Sequence, residues 1–237
     1  MGNPPDTYQA VLANGEIEIK GQFTNGNNYT FLVNVTYQGS EVLAVYKPMR
    51  GEQPLWDFPE NSLAGREVCA YLVSQALGFG MVPFTLLREG PLGPGSLQQY
   101  IDYDPNYHYF NFKPAELERL HPVVLFDLLI NNADRKGGHI LVQKRTRKLY
   151  LIDHGLCFHA EDKLRTVIWD FAGQPIPPDL LVALASFREQ EDLPALLAPY
   201  LSPEEVAALV MRAEEILAVG QFPFPPEDRR AFPFPPV

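Results

Sequence analysis

Two aspartates, Asp134 and Asp153, stand nineteen residues apart, each beside glycine and histidine in a short loop. The loops read NNADRKGGH (131–139) and LIDHG (151–155), and each borders an apolar, strand-like run. A loop aspartate followed by a short hairpin and a second aspartate is typical of phosphoryl-transfer sites. In that chemistry one carboxylate accepts the proton of the attacking hydroxyl, and the other holds the metal ion that bridges the ATP phosphates.

The residues next to these aspartates supply further chemistry. Asp134 is expected to accept a hydrogen bond from the attacking hydroxyl, and Arg135 or Lys136 to neutralise charge on the transferred phosphoryl group. A structural alternative for this loop is a helix C-cap that ends at Gly137-Gly138, which explains the glycines but not the adjacent charges. Asp153 ends an apolar strand, where a carboxylate is costly to bury unless it is paired or bound to a metal.

Nucleotide-binding candidates lie upstream. Lys47 ends an apolar strand in AVYKP, and Glu67 follows twenty residues later, near the start of a predicted helix. An ion pair between them would hold the lysine ammonium against nucleotide phosphates. The turn Asn25-Gly26-Asn27 is either a plain hairpin turn or a tip whose backbone N–H groups lean over those phosphates.

The surrounding pattern predicts which elements position these residues. Alternating apolar residues and turn signals predict three strands within residues 16–48, and helical spacing predicts a helix over 62–77, with Ser62 as N-cap and Gly78 as stop. Two further strands are followed by helices that begin at Pro114 and Pro122, then by a hairpin formed by HILVQ and LYLID, and by two more helices. This order predicts an α+β fold with two lobes, the first rich in strands with one helix and the second mainly helical.

The domain boundaries follow from the same order. Residues 1–102 are predicted to form the N-lobe and residues 103–221 the C-lobe, which contains the catalytic hairpin 134–155. A Phe/Pro-rich tail, residues 222–237, repeats FPFPP and is unsuited to helix. The tail either packs its rings on the domain or docks a protein partner.

Composition narrows the class of protein. The formal net charge of −10 argues against a nucleic-acid binder, and no apolar run is long enough to span a bilayer. The amino-terminal residues lack the basic start and apolar core of a signal peptide. Cys69 and Cys157 are the only cysteines and are expected to be buried thiols, so a cytoplasmic location is expected.

The combination of AVYKP, Glu67, NNADRKGGH and LIDHG resembles the atypical, phosphoinositide 3-/4-kinase-like branch of the protein-kinase-like superfamily. Within that branch it is similar to a bacterial group labelled lipid-kinase-like, and GREVCAYLVSQALG is part of the similarity. The resemblance implies a protein-kinase-like fold with ATP and Mg²⁺ or Mn²⁺ in the cleft. It implies that Lys47 contacts phosphate, Glu67 pairs with it, Asp134 is catalytic and Asp153 binds metal.

One position departs from the family pattern. His139 stands where such kinases usually carry a metal-binding asparagine, and imidazole suits Mn²⁺ better than Mg²⁺. His139 therefore ligates manganese, contacts phosphate, or marks the loss of a second metal site. A zinc or iron site is disfavoured because the spacing of histidines and aspartates matches no standard signature.

The resemblance leaves three functions open. The first is transfer of the γ-phosphate of ATP to a hydroxyl of a protein or small molecule. The second is AMP transfer by the same residues, and the third is a catalytically inactive nucleotide-binding module that recruits partners. Retention of Lys47, Asp134 and Asp153 together favours an active phosphotransferase.

Overall fold

The computed structural model describes residues 4–23 and 28–237. Five strands form one antiparallel sheet in the order β1-β2-β3-β5-β4. The strands are β1 (Glu16–Phe23), β2 (Thr30–Tyr37), β3 (Ser40–Pro48), β4 (Thr85–Gly90) and β5 (Gly93–Gln99). The three strands predicted within residues 16–48 are thus confirmed, and the central position of β3 places Lys47 opposite Ser96 of β5.

A first helix that the sequence analysis did not predict covers one face of this sheet. Helix α1 (Pro4–Asn14) buries Val11 and Leu12 against residues of β2, β3 and β5. Together they form a small hydrophobic cluster that belongs to the sheet, with Val33 and Tyr46 fully buried at its centre. The strand-rich region therefore has a core of its own.

A second, larger hydrophobic cluster joins the remaining helices. These are α2 (Leu63–Ala76), α3 (Pro114–Leu117), α4 (His121–Ile130), α5 (Pro178–Arg188), α6 (Leu193–Leu197) and α7 (Pro203–Val219). The helix predicted over 62–77 is confirmed as α2, and Gly78 ends it with a left-handed φ of 71°. The buried side chains Cys69, Ala70 and Val73 of α2 pack in this larger cluster rather than in the cluster of the sheet. Both cysteines are free and buried, as predicted.

A short antiparallel hairpin carries the chain between the two candidate aspartates. Its strands are β6 (Ile140–Val142) and β7 (Leu149–Leu151), and all but one of their six residues are buried. The basic turn between them, residues 144–148, is exposed. Because the hairpin is so short, Asp134 and Asp153 return to the same end of it.

The carboxy-terminal tail is only partly packed. Phe222 is buried against Phe171, whereas Phe224, Phe232 and Phe234 are more than half exposed. The backbone is nevertheless fastened, since Gly137 N–H donates to the carbonyl of Pro236 at 2.8 Å. No described helix combines the length and the apolar character that a bilayer crossing requires. The boundaries at 102/103 and 221/222 remain predictions.

Candidate active site

Lys47, Glu67 and Asp153 meet at one point, although they come from β3, α2 and the loop after β7. The Lys47 ammonium contacts Glu67 Oε1 and donates to Asp153 Oδ1 at 2.9 Å. Glu67 Oε2 accepts the backbone N–H of His154 at 3.0 Å. One glutamate therefore joins the strand lysine to the loop that carries Asp153, as the Lys47–Glu67 spacing predicted. We call Lys47, Glu67, Asp134, Asp153 and His139 the front cluster.

The charges in the front cluster stabilise one another. Burial opposes the charge of Lys47, but Asp153 and Glu67 outweigh it and raise the pKa of the ammonium. Lys47 in turn lowers the pKa of Asp153, whose side chain is 51% exposed and so accessible to an incoming ligand. Asp153 adopts a left-handed φ of 63°, a conformation that aspartate tolerates better than most residues. The carboxylate is thus held ionised and turned towards solvent.

Asp134 is in a different environment from Asp153. Its side chain is 25% exposed, its backbone N–H donates to Asn132 Oδ1 at 2.9 Å, and Lys136 Nζ lies 3.2 Å from Oδ2. Burial raises the pKa of Asp134 to about 6, although Lys136 opposes the shift. A carboxylate with this pKa can take up and release a proton near neutral pH, as a general base must.

His139 directly precedes β6 and faces Asp153, which follows β7. Its Nε2 lies 3.2 Å from Asp153 Oδ2, while Nδ1 is buried and finds no hydrogen-bond partner within the described part of the chain. Burial lowers the pKa of His139 to about 4, so the ring is neutral at neutral pH. If Nε2 is to ligate a metal, the ring proton must sit on Nδ1.

Behind the front cluster lies a second group of charged residues, which we call the rear network: Asp127, Arg135 and His154. All three are essentially inaccessible to solvent. Arg135 donates to both carboxylate oxygens of Asp127, at 2.8–3.1 Å, and its Nη1 donates to the Ile152 carbonyl at 3.0 Å. The expectation that Arg135 neutralises phosphoryl charge is wrong, because Nε, Nη1 and Nη2 of its buried guanidinium all donate hydrogen bonds inside the protein.

The rear network also fixes the state of His154. Arg135 Nη2 lies 2.9 Å from His154 Nε2, and because arginine only donates, Nε2 must be the unprotonated nitrogen. Burial lowers the pKa of His154, so the ring is neutral with its proton on Nδ1, 3.7 Å from Glu67 Oε2. The network therefore orients the loop that presents Asp153, while Asn132 Nδ2 donates to Asp127 at 2.9 Å and orients the loop that presents Asp134.

Several residues that support the site were missed by sequence reasoning. Ser62 makes no capping bond; instead the Glu52 carboxylate caps α2 by accepting the N–H groups of Leu63 at 3.2 Å and Ala64 at 2.9 Å. Nothing local in the sequence marks Glu52 as a cap. Asp127, by contrast, did carry a signal, since it is a lone carboxylate inside the apolar helix VVLFDLLI.

The remaining candidates are only partly visible. Asn25, Gly26 and Asn27 lie outside the described residues. Within the described residues no three His, Cys, Asp or Glu side chains converge into a preformed metal site.

Comparison with known proteins places this geometry in a family. The family model described as phosphatidylinositol 3- and 4-kinase matches residues 67–216, which run from Glu67 on α2 to Ile216 on α7. Protein Rv2133c of Mycobacterium tuberculosis (strain ATCC 25618 / H37Rv) is 39% identical over 267 aligned residues, covering 97% of this chain and 95% of the relative. Phosphatidylinositol 4-kinase gamma 4 of Oryza sativa subsp. japonica is 28% identical over 64% of this chain, which spans only 31% of the plant protein.

Solved structures show the same fold at low sequence identity. The Helicobacter pylori proinflammatory kinase CtkA has a TM-score of 0.55 and 15% identity, over 88% of this chain and 93% of its own. The Golgi casein kinase with Mn/ADP bound has a TM-score of 0.57 and 16% identity, over 99% of this chain and 81% of its own. The expected two-lobed, kinase-like α+β fold is confirmed. Since the family model covers more than half of the chain and includes four of the five residues of the front cluster, the chain belongs to the phosphatidylinositol 3- and 4-kinase family.

Proposed function

We propose that this protein is an ATP-dependent phosphotransferase that moves the γ-phosphate to a hydroxyl group of a protein or small molecule. The observation that carries the proposal is the meeting of Lys47 with Glu67 and Asp153, three charged residues from three separate elements. Such a cluster costs desolvation and side-chain entropy, and it stands next to an aspartate whose pKa is raised to about 6. A purely structural ion pair requires neither the half-exposed Asp153 nor this neighbouring base.

In this proposal Lys47 binds the phosphates and Glu67 keeps its ammonium in place. The Lys47 side chain is 22% exposed, so a phosphate oxygen can replace the contact with Asp153 while Glu67 is retained. The turn Asn25-Gly26-Asn27 is proposed to cover the phosphates with its backbone N–H groups. ATP is thereby held between a strand lysine and the loop after β7.

A divalent cation, Mg²⁺ or Mn²⁺, is proposed to be held by Asp153 and, in its Nδ1-protonated form, by His139. The donor set fits, because an ionised carboxylate is exposed and an adjacent neutral imidazole faces the same space. Bound there, the cation would neutralise charge on the phosphates. The imidazole favours Mn²⁺ over Mg²⁺ relative to an oxygen ligand.

Asp134 and Lys136 are proposed to perform the proton transfer and charge stabilisation. As the acceptor oxygen bonds to the γ-phosphorus, its proton passes to the Asp134 carboxylate, the bond to the β–γ bridging oxygen breaks, and ADP leaves. Lys136 lies 3.2 Å from Asp134 and is 20% exposed, so it can reach the transferred group. Arg135, by contrast, is fully buried against Asp127 and cannot reach that group.

The acceptor and its delivery belong to the same proposal. Phe224, Phe232 and Phe234 present exposed rings in a Phe-Pro segment, and aromatic rings interspersed with proline suit a hydrophobic groove on a protein partner. We propose such a partner, a cytoplasmic location and no nucleic-acid ligand.

Labelled ATP tests the proposed reaction. The protein is incubated with Mn²⁺ and either γ- or α-labelled ATP, with water, a generic protein acceptor, free inositol or phosphatidylinositol vesicles as acceptors. We expect label from γ-ATP, but not from α-ATP, in an acceptor or in free phosphate, and no transfer by Asp134→Asn. Transfer from α-ATP alone would show AMP transfer instead, and binding of ATP without transfer from either label would show an inactive module.

A further inference from the structure

Arg66 directly precedes Glu67 on α2 and, like Arg135, is a fully buried arginine. Its Nη2 donates to Glu205 Oε1 at 2.6 Å, and its Nη1 donates to the Cys157 carbonyl at 2.6 Å. Glu205 also closes the capping box at the start of α7 by accepting the N–H of Ser202. Arg66 therefore ties α2 at once to α7 and to the chain that follows Asp153.

Close packing on both sides of Arg66 supports the same attachment. Gly65 lies so near Tyr200 that an added Cβ would stand 3.2 Å from its ring, tighter than ordinary contact. A glycine inside a helix weakens it, so its presence here indicates that the close approach matters more. At the far end of α2, Gln190 Nε2 donates to the Ala76 carbonyl at 2.8 Å. The helix is thus attached to the helical region near both of its ends, while it also lies against strands β4 and β5.

We propose that Arg66 is a positioning residue that attaches α2 to α7 and to the chain after Asp153, and so holds Glu67 in register with Asp153. The inference rests on the proposed function, because it assigns Arg66 a consequence for phosphoryl transfer. Glu67 accepts the N–H of His154, and Arg66 binds the carbonyl of Cys157 three residues further on. Two adjacent residues of α2 therefore form hydrogen bonds with the same loop.

The competing explanation is that Arg66 only stabilises the fold. Removing a buried arginine leaves its carboxylate partner, here Glu205, unpaired, which destabilises most proteins. Arg212 provides a matched control. It lies on α7 and, like Arg66, donates to a backbone carbonyl, to Leu129 at 2.9 Å and to His159 at 3.2 Å, and none of its hydrogen bonds among the described residues reaches α2. Arg212→Met should weaken the fold without moving Glu67.

The experiment compares Arg66→Met, Arg66→Lys and Arg212→Met in the full chain. Turnover of γ-labelled ATP with Mn²⁺ is scored as released phosphate and corrected for the folded fraction. For Arg66→Met we expect kcat to fall by about tenfold or more while the KM for ATP changes by less than about threefold, because the phosphate is misplaced rather than unbound. Arg66→Lys, which keeps the charge facing Glu205, should recover most of kcat, and Arg212→Met should stay within about threefold of wild type.

Amide hydrogen exchange, measured without nucleotide, provides a second and independent readout. Residues 64–70 of α2 should lose protection by about tenfold in Arg66→Met but not in Arg212→Met. Equal kcat values for the Arg66→Met and Arg212→Met variants, or unchanged protection of α2, would overturn the inference. If the wild-type protein turns over no ATP, the proposed function fails. Unchanged hydrogen exchange in Arg66→Met would separately refute the attachment of α2 by Arg66. Should Arg66→Met not fold, Glu205→Gln keeps the shape of its partner, and the same directions are expected.

Discussion

The front cluster and the rear network use the same kinds of side chain for different ends. Each contains aspartate, a cation and histidine, and Glu67 and the loop 151–155 connect them. In the rear network Asp127 and Arg135 are 1% and 0% exposed, and their hydrogen-bonding groups are satisfied by one another and by backbone carbonyls. In the front cluster Asp153 is 51% exposed, and its bond with Lys47 can be exchanged for a ligand.

Charged residues in this protein thus fall into two groups, one that supports the fold and one that is available for chemistry. A buried pair with saturated hydrogen bonds fixes geometry but has no capacity left for a substrate. A partly exposed cluster is poorly suited to stabilising the fold, since exposed ion pairs contribute little. Substitutions in the two groups should therefore damage different properties.

The largest effect is expected from Asp153→Asn in the front cluster. Asparagine tolerates the left-handed backbone at this position but loses the charge that attracts the cation and Lys47. Turnover of γ-labelled ATP should fall by about a thousandfold or more, and the free energy of unfolding should change by less than about 1 kcal/mol. A variant that keeps its turnover, or that loses several kcal/mol of stability, would contradict the division between the two groups.

Arg135→Met in the rear network should show the opposite pattern. It leaves the Asp127 carboxylate buried without its partner, so the free energy of unfolding should fall by about 3–5 kcal/mol. Denaturant titration measures the change. Arg145→Met in the exposed β6–β7 turn is the matched control and should stay within about 0.5 kcal/mol of wild type. Near-equal stability of the two variants would mean that the rear network is dispensable.

The protonation of Asp134 should make turnover depend on pH. Its carboxylate form is required as the base and its pKa is about 6, so kcat/KM should rise with pH and level off above 6. At pH 5 it should be about a tenth of the plateau. A profile with no acid limb near pH 6 would rule out Asp134 as the titrating base.

The free energy of unfolding should also depend on the Asp134 carboxyl group, but it should fall with rising pH where kcat/KM rises. The folded pKa of about 6 exceeds the usual carboxyl value, so the folded state holds the proton more tightly. The Asp134 contribution should therefore fall as pH rises from about 4 to about 6, and Asp134→Asn should abolish that fall. Urea titrations of both proteins across this range measure it.

The smallest effect is expected from His139→Asn. Replacing imidazole with an amide oxygen donor should move the ratio of Mn²⁺- to Mg²⁺-supported turnover towards Mg²⁺ by a few-fold, about threefold to tenfold. Paired assays with each metal measure the ratio. An unchanged ratio would mean that His139 does not ligate the cation.

Much of the fold was predictable because local pattern and tertiary packing agree. Strands β1–β3 and helix α2 carry both the right periodicity and the right punctuation, and each lies close to its predicted range. Helix α1 was missed although Val11 and Leu12 are buried in the cluster of the sheet and Tyr8 packs against it, because three residues at helical spacing are a short signal in a segment that begins with Pro4-Pro5. Its stability comes from the sheet beneath it rather than from its own sequence.

The site was predictable where function and structure require the same residue. Lys47 and Glu67 pair as their spacing suggested. Arg135 was misjudged because a sequence shows that a charge is present but not what it pairs with. Its partner is the buried carboxylate of Asp127 and not a substrate. The role of Glu52 arises entirely from tertiary contact and left no local signal.

The most direct test is the thermal stability of wild type and Asp153→Asn with and without millimolar ATP and Mn²⁺ or Mg²⁺. At a hundred times its dissociation constant, a ligand of the folded state adds about 2.7 kcal/mol to the free energy of unfolding. We expect a rise in melting temperature for wild type that requires both ATP and metal and disappears in Asp153→Asn. No shift with either metal, or an equal shift in the two proteins, would contradict the assignment of the front cluster as the nucleotide–metal site.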